Sequence, residues 1–447
     1  MRNPLYAVLL TASIVSSASH AATITVSANA SIQSLQTAIQ IANAGDTIVL
    51  KGGVFHETAL IPSSLSDLTI RGTNGAVLDA RVVTGQSLGA CLLIEADRVT
   101  IRDLTFRNAA TLAADEGDAI RTTGLETVVD RCTFIGNEAG GVRFSGNAGV
   151  VRRSTFVGNE SGVIVDFALG IRIEKCKFDS STTAGVKLSG AHDCVIEKCT
   201  FGGSAIGGGV DGDNGFTNDD LVVRGCTFRK VVGPAILNSG DGATIEKCKF
   251  TDSAGHGIAI FDAADISITS CSFSNLLYQS SAIVLTTVTN ATVEKCTVAD
   301  VSSLGMFVTD ATAVAVRSCS FKRGGRDLEP CVLATGSTDI SLEKVTITEW
   351  GEGVWSLSGA VLTLTSCVVT NCVRDGFDIE NTSGAVTLTK CKATGCSAEG
   401  IDNSGPTTQA TDCTFTGNRI DVANDGTLTL TGGSFGTGGT STAPAID

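Results

Sequence analysis

The chain has 447 residues, 43% hydrophobic and only 17% charged, a balance that supports a packed core and excludes wholesale disorder. With 32 Lys+Arg against 46 Asp+Glu, its net charge of −14 disfavours nucleic acid and anionic membrane as partners. Uronic-acid polymers should also be repelled unless cations bridge the contact.

The opening "MRNPLYAVLLTASIVSSASHA" has a positive start at Arg2, an apolar run from Leu5 to Val15, and small residues at Ser19 and Ala21. It reads as a signal peptide over 1–21, so the mature protein is expected to be secreted or periplasmic. No later segment approaches eighteen apolar residues, and no membrane span is expected. Residues 22–50 predict a short strand and a helix whose apolar face is Ile32, Leu35, Ile39 and Ala42, ended by Gly45. Such a helix suits the open hydrophobic end of a larger stack.

From 51 to 435 one phrase returns. "GIRIEKCKFDSS" at Gly170 is followed by "CVIEKCTFGGS" at Cys194, "ATIEKCKFTDS" at Ala243 and "ATVEKCTVADV" at Ala291. Aligned at the cysteine, the column runs Leu104, Cys132, Ser154, Cys176, Cys199, Cys226, Cys248, Cys271, Cys296, Cys319, Val345, Cys367, Cys391, Cys413 and Gly433. Two residues on stands a second column, from Phe106 to Phe435, which holds eleven of the 18 phenylalanines. Most steps are 22 to 24 residues, too short for a four-stranded propeller blade and suited to one coil of a parallel β-helix. About fifteen coils follow, stacked at ~4.8 Å, with thiols over thiols and rings over rings. The tail at 436–447 lacks the strand pattern and is expected to fray. A monomer is expected.

The sixteen cysteines face inward in this register. In-line neighbours ~4.8 Å apart with parallel Cβ directions do not suit a disulfide, which wants Cβ atoms ~3.8 Å apart. Buried, mostly reduced thiols acting as small hydrophobes are expected, with Cys372 and Cys396 the best-placed pair for a bridge.

These repeats, with the opening "SIQSLQTAIQIANAGDTIVLKGGVFHETALIPSSLSDLTIRGTNGAVLDA", resemble the right-handed parallel β-helix superfamily that includes pectate lyases and polygalacturonases. The resemblance implies an all-β, single-stranded right-handed solenoid with an N-terminal capping helix. It also implies a carbohydrate groove on the outside of the first sheet. The middle outward residues there are expected to be Arg121, Arg143, Ile164, Lys187, Asp211, Leu237, Ala259, Val284, Phe307, Val332, Trp355, Asp378, Asp402 and Asp421. The series starts basic, turns apolar and ends acidic.

At the acidic end, "VRDGFDIEN", "AEGIDNSG" and "NRIDVAND" predict that Asp378, Asp402 and Asp421 stack about one strand spacing apart. Stacked like charges require a cation, an arginine or a proton, and Ca2+ suits such oxygens. "RDGFD" partly resembles the acidic strand of a calcium-dependent pectate lyase group, which makes Asp375 and Asp378 catalytic candidates beside Asp402. Arg374 and Arg419 are placed to neutralise charge or stabilise an enolate-like intermediate. Trp355 offers a stacking face for a sugar. A weaker calcium candidate is the loop "GGGVDGDNGFTNDD", with Asp211, Asp213, Asp219 and Asp220. His256, in "AGHGIAI", lacks the partners of the polygalacturonase motif that it resembles and reads as a turn residue. The expected function is binding, with cleavage by lyase or hydrolase chemistry open, of an extracellular polysaccharide. The alternative is a non-catalytic structural or surface-interaction rod.

Overall fold

A computed structural model describes residues 21–81, 90–110, 117–203, 208–212, 215–325, 328–380, 384–436 and 445–446. The expected signal segment therefore lies outside the described residues but for Ala21. No described helix is long and apolar enough to cross a membrane.

The chain winds as a parallel β-solenoid of about 17 turns. Each turn contributes three short strands, as in Ile236–Asn238, Thr244–Glu246 and Lys249–Thr251. The turn count exceeds the expected fifteen because two coils precede Leu104 without the cysteine phrase. In them Phe55 pairs with Leu78, and Leu78 with Phe106, so the column of rings starts lower than the repeat does. The strands Ile258–Thr269 and Ile283–Glu294 run unbroken from first to second sheet. Within the first of these, Asp262 and Asp265 stand at positive φ.

The phenylalanine column forms as read. From Phe106 to Phe273 successive rings stack with centroids 4.6 to 5.3 Å apart, nearly parallel. In-register stacking makes one packing solution serve every coil, because each ring meets a copy of itself.

The cysteines do more than fill space. The residue before each occupies the left-handed region (Lys175, Lys198, Lys247 and Lys295 all at φ 54°), so the chain turns there and the thiol tucks beneath the bend. Cys176 Sγ donates to the Glu174 carbonyl at 3.4 Å and to the Val151 carbonyl of the coil below at 3.7 Å. The Cys176 and Cys199 amides in turn donate to Cys199 Sγ and Cys226 Sγ, each at 3.4 Å. Ser154 takes the same post with its hydroxyl, accepting from the Cys132 amide at 3.1 Å. Thiols thus satisfy buried bend amides as well as packing like hydrophobes. All sixteen are free and buried, Cys372 and Cys396 included. Burial pushes the Cys91 and Cys132 thiols up to about 12.

The capping helix is Leu35–Ile41, with Leu35, Ala38 and Ile39 buried and Ile32 and Ala42 packed against the core. Glu57 fixes its start, accepting from Ser34 Oγ and the Leu35 amide at 2.7 Å each. The cap at its end is Ala42 rather than Gly45, which sits three residues on at φ +85° and turns the chain into the strand Thr47–Lys51. At the far end Ala445–Ile446 pairs with Thr429 and Leu430, and most of the expected tail lies outside the described residues.

Candidate functional site on the outer face of the first sheet

The register settles which outward residues share a line. Arg121, Arg143, Ile164, Lys187, Asp211, Leu237, Ala259, Val284 and Phe307 follow one another as expected. The line then passes through Leu333, not Val332, which is buried inside, and on through Trp355, Asp378 and Asp402. It ends at Ala423, not Asp421. The expected three-acid column is therefore two acids long.

Asp421 lies two residues short of the line because the strand Ile420–Asn424 is shifted by its preceding turn. There its carboxylate accepts from the Asn418 amide and side chain, at 2.9 and 3.1 Å. A sphere of Asp378, Asp402 and Asp421 does not assemble. In the loop, Asp213 lies outside the described residues. Asp211 sits on the first-sheet strand, while Asp219 pairs with His192 at 3.2 Å and accepts from the Asp241 amide. Asp220 lies in the turn beyond, with Gly242 packed over its carboxylate. Among the described residues these loop acids do not converge.

A second acid column stands beside the first. Val354 pairs with Phe377 and Phe377 with Ile401, which puts Glu352, Asp375 and Glu399 in register. Each precedes a glycine: "GEGVW", "RDGFD" and "AEGID" repeat one acid-glycine step in three successive coils. The glycine is required, since a Cβ on Gly353 would meet the Gly376 carbonyl oxygen at 2.0 Å. The coils approach closely there, and carboxylates three residues apart in the chain gather. Carboxylate oxygens of Glu352, Asp375 and Asp378 lie within 4.8 Å of one another, and so do those of Asp375, Glu399 and Asp402. Glu352 and Glu399 escaped the sequence reading; the acid-glycine repeat was the signal for them.

The five carboxyls form two layers. Glu352, Asp375 and Asp378 are buried (0, 3 and 2% exposed), while Glu399 and Asp402 are partly exposed. Arg374 Nη1 stands 3.0 Å from Glu352 Oε2, yet neither Glu352 oxygen has an aligned hydrogen-bond donor among the described residues. Arg419 Nη2 donates to Glu399 Oε1 at 2.6 Å. Both arginines thus serve the second column rather than Asp378 or Asp402. Asp375 accepts from the Glu399 amide at 2.7 Å.

Burial is the main cause of the high proton affinity here, and the crowding of like charge adds to it. Glu352 is raised to about 7 by burial, against the pull of Arg374. Asp378 is raised to about 9 by burial and then by Glu352 and Glu380. Glu399 is raised to about 7 by burial and by Asp375, and Asp402 is raised by burial and Asp375. Protons, together with the two arginines, hold this cluster together. Trp355 lies one rung from Asp378, and its indole Nε1 is buried with no acceptor among the described residues. His256, in contrast, accepts from the Ser281 amide through Nδ1 at 3.0 Å, and burial lowers its pKa. It is a turn residue, as read.

The family model described as the right handed beta helix region matches residues 12–168, 90–219, 209–328 and 330–437. The chain belongs to that family. No curated protein matches this β-helix. Among solved structures it is similar to tailspike protein 3 of bacteriophage CBA120, at TM-score 0.54 and 15% identity, over 74% of this chain and 58% of the tailspike. The β-helix thus spans little more than half the length of that tailspike. Others are the A-module of the Azotobacter vinelandii mannuronan C-5 epimerase AlgE6 (TM-score 0.43, 14% identity, 85% and 92% covered) and the Streptococcus pneumoniae surface adhesin PfbA (0.42, 8%, 82% and 87%). At these identities the likeness is one of fold.

Proposed function

We propose that this β-helix is an exported protein that binds a polysaccharide along the outer face of its first sheet and hydrolyses it at Glu399 and Asp402. The observation that carries the proposal is a pair of partly exposed carboxyls with raised proton affinity, on the coils that follow a tryptophan of the same outward line. Outward residues from Leu237 to Trp355 form an apolar floor, and Trp355 closes it with a flat aromatic face against the acids. A sugar ring stacked there would present its hydroxyls to the acid side.

Glycoside hydrolysis needs one carboxyl that keeps its proton near neutral pH and a second that attacks or activates water. Glu399, raised to about 7, supplies the proton to the glycosidic oxygen. Asp402, its neighbour across the acid-glycine bend, is the nucleophile. Oxygen separations within 4.8 Å are short of the roughly 6.5–9.5 Å between carboxyls that an inverting enzyme leaves for water. Retention of anomeric configuration is the corresponding outcome. Glu352 and Asp378 lie behind and limit the negative charge by holding protons. The chemistry uses the carboxyls as acid and base and routes nothing through a metal.

The test is release of reducing ends from a panel of neutral and acidic polysaccharides. Activity of the wild type, lost in E399Q and D402N while binding persists, supports hydrolysis; binding without release in the wild type reduces the protein to a carbohydrate-binding rod.

A further inference from the structure

The other end of the same outward line carries a second built pocket, some ten rungs or about 48 Å from Asp378. We propose that this pocket is a subsite for an acidic sugar, with Arg121, Arg143 and Lys187 taking its carboxylate. It rests on the first-sheet face being the polysaccharide face, and it is independent of hydrolysis at the acidic end.

The pocket is organised from behind by Asp118, which is fully buried. Asp118 Oδ2 accepts from Arg121 Nε and Nη2, at 3.1 and 2.9 Å, and from Arg143 Nε at 2.8 Å. Its Oδ1 accepts from the Gly140 amide at 2.9 Å. The carboxylate fits because Gly140 has no side chain: a Cβ there would lie 2.6 Å from that oxygen. One buried acid thus holds two guanidinium groups in register on adjacent coils, which would otherwise repel each other. Each guanidinium has five N–H donors, and the contacts to Asp118 leave most of them for the cavity in front.

That cavity, about 510 Å³, is also lined by Lys187, by two further acids, Asp166 and Glu160, and by Ser145 and Ser189. Lys187 makes no ion pair among the described residues. Asp166 stands 3.7 Å from Arg143 Nη1 at the rim. A bare anion would gain from the cations and lose to Asp166. A sugar bearing a carboxylate satisfies both sides, since its hydroxyls donate to Asp166 and exchange hydrogen bonds with the serines. Local charge here departs from the net −14 of the chain, which otherwise repels uronates.

The test is calorimetric titration of the full chain with oligogalacturonates, hyaluronan oligosaccharides, heparin-derived oligosaccharides, neutral cello-oligosaccharides and inorganic sulfate. The expected result is uronate binding that weakens roughly tenfold in R143Q, several-fold in K187Q and steeply with added salt. K187Q is decisive, because removing Arg143 unbalances buried Asp118 and lowers stability. Uronate affinity unchanged in K187Q and R143Q, or matched by neutral oligosaccharides, overturns the subsite. So does full competition by inorganic sulfate, which makes the pocket an ion site, or a preference for sulfated over uronate sugars. Trp355-dependent binding of neutral chains without uronate binding removes this subsite and leaves the proposed function standing. No binding by any probe removes both.

Discussion

Glu352 and Asp378 come from neighbouring coils, are both nearly inaccessible, and hold their protons against each other. Asp378 is raised to about 9 by burial and then by the Glu352 charge, whereas Glu352 is raised to about 7 by burial against the pull of Arg374 and of a hydrogen bond with Asp378. An acid whose folded pKa exceeds its unfolded value destabilises the fold as pH rises between the two. D378N should therefore raise Tm by about 2 °C or more at pH 8, with the gain vanishing as pH falls to about 4. Thermal melts across that window check the sign; a gain that grows toward acid contradicts the assignment.

Activity has its own pH limb. Glu399 must be protonated to donate, so kcat/KM should fall as pH rises through about 7. Removing the Arg419 contact favours the protonated form, and R419Q should shift that limb upward. A pH–rate profile of the two proteins reads the shift directly.

Calcium provides a contrast. Asp378, raised to about 9, is a poor cation ligand at neutral pH, and Asp421 does not join it and Asp402. Millimolar Ca2+ should leave Tm within about 1 °C, whereas a site filled at 100 times its Kd would contribute about 2.7 kcal/mol. Melts with Ca2+ and with a chelator distinguish the two.

The cysteine ladder predicts that sulfur is needed for hydrogen bonding as well as for volume. C199S should be tolerated, since Ser154 already fills an equivalent place. C199V should cost about 1 kcal/mol or more, because the Cys176 amide loses its acceptor. Chemical denaturation of both variants gives the comparison, and thiol counting without reductant should find all sixteen free.

Much of this molecule is legible in its sequence because the fold is periodic. The phenylalanine column could be written down residue by residue, since in-register stacking carries one packing environment from coil to coil. The outer line was legible for the same reason until irregular turns intervened. Extra residues before Cys331 and a shortened turn before Asp421 each slipped the count, and Leu333 and Ala423 took the places read for Val332 and Asp421. Glu352 and Glu399 were missed because strand alternation places residues three apart on opposite faces. At Gly353, Gly376 and Gly400 neighbouring coils approach closely, and the carboxylates converge there despite that rule. The fully buried Asp118 was hidden likewise: an acid before a short strand reads as a turn residue until two arginines are seen to close on it.

The most direct test of the central claim is the affinity of wild type and W355A for the polysaccharide that binds best, measured by affinity electrophoresis or calorimetry. An outer-face site predicts a loss of about tenfold or more in W355A, as expected for a buried stacking contact of about 1.4 kcal/mol, with the thermal stability of the rod nearly unchanged. Equal affinity of the two proteins would place the sugar elsewhere on the molecule and contradict the account.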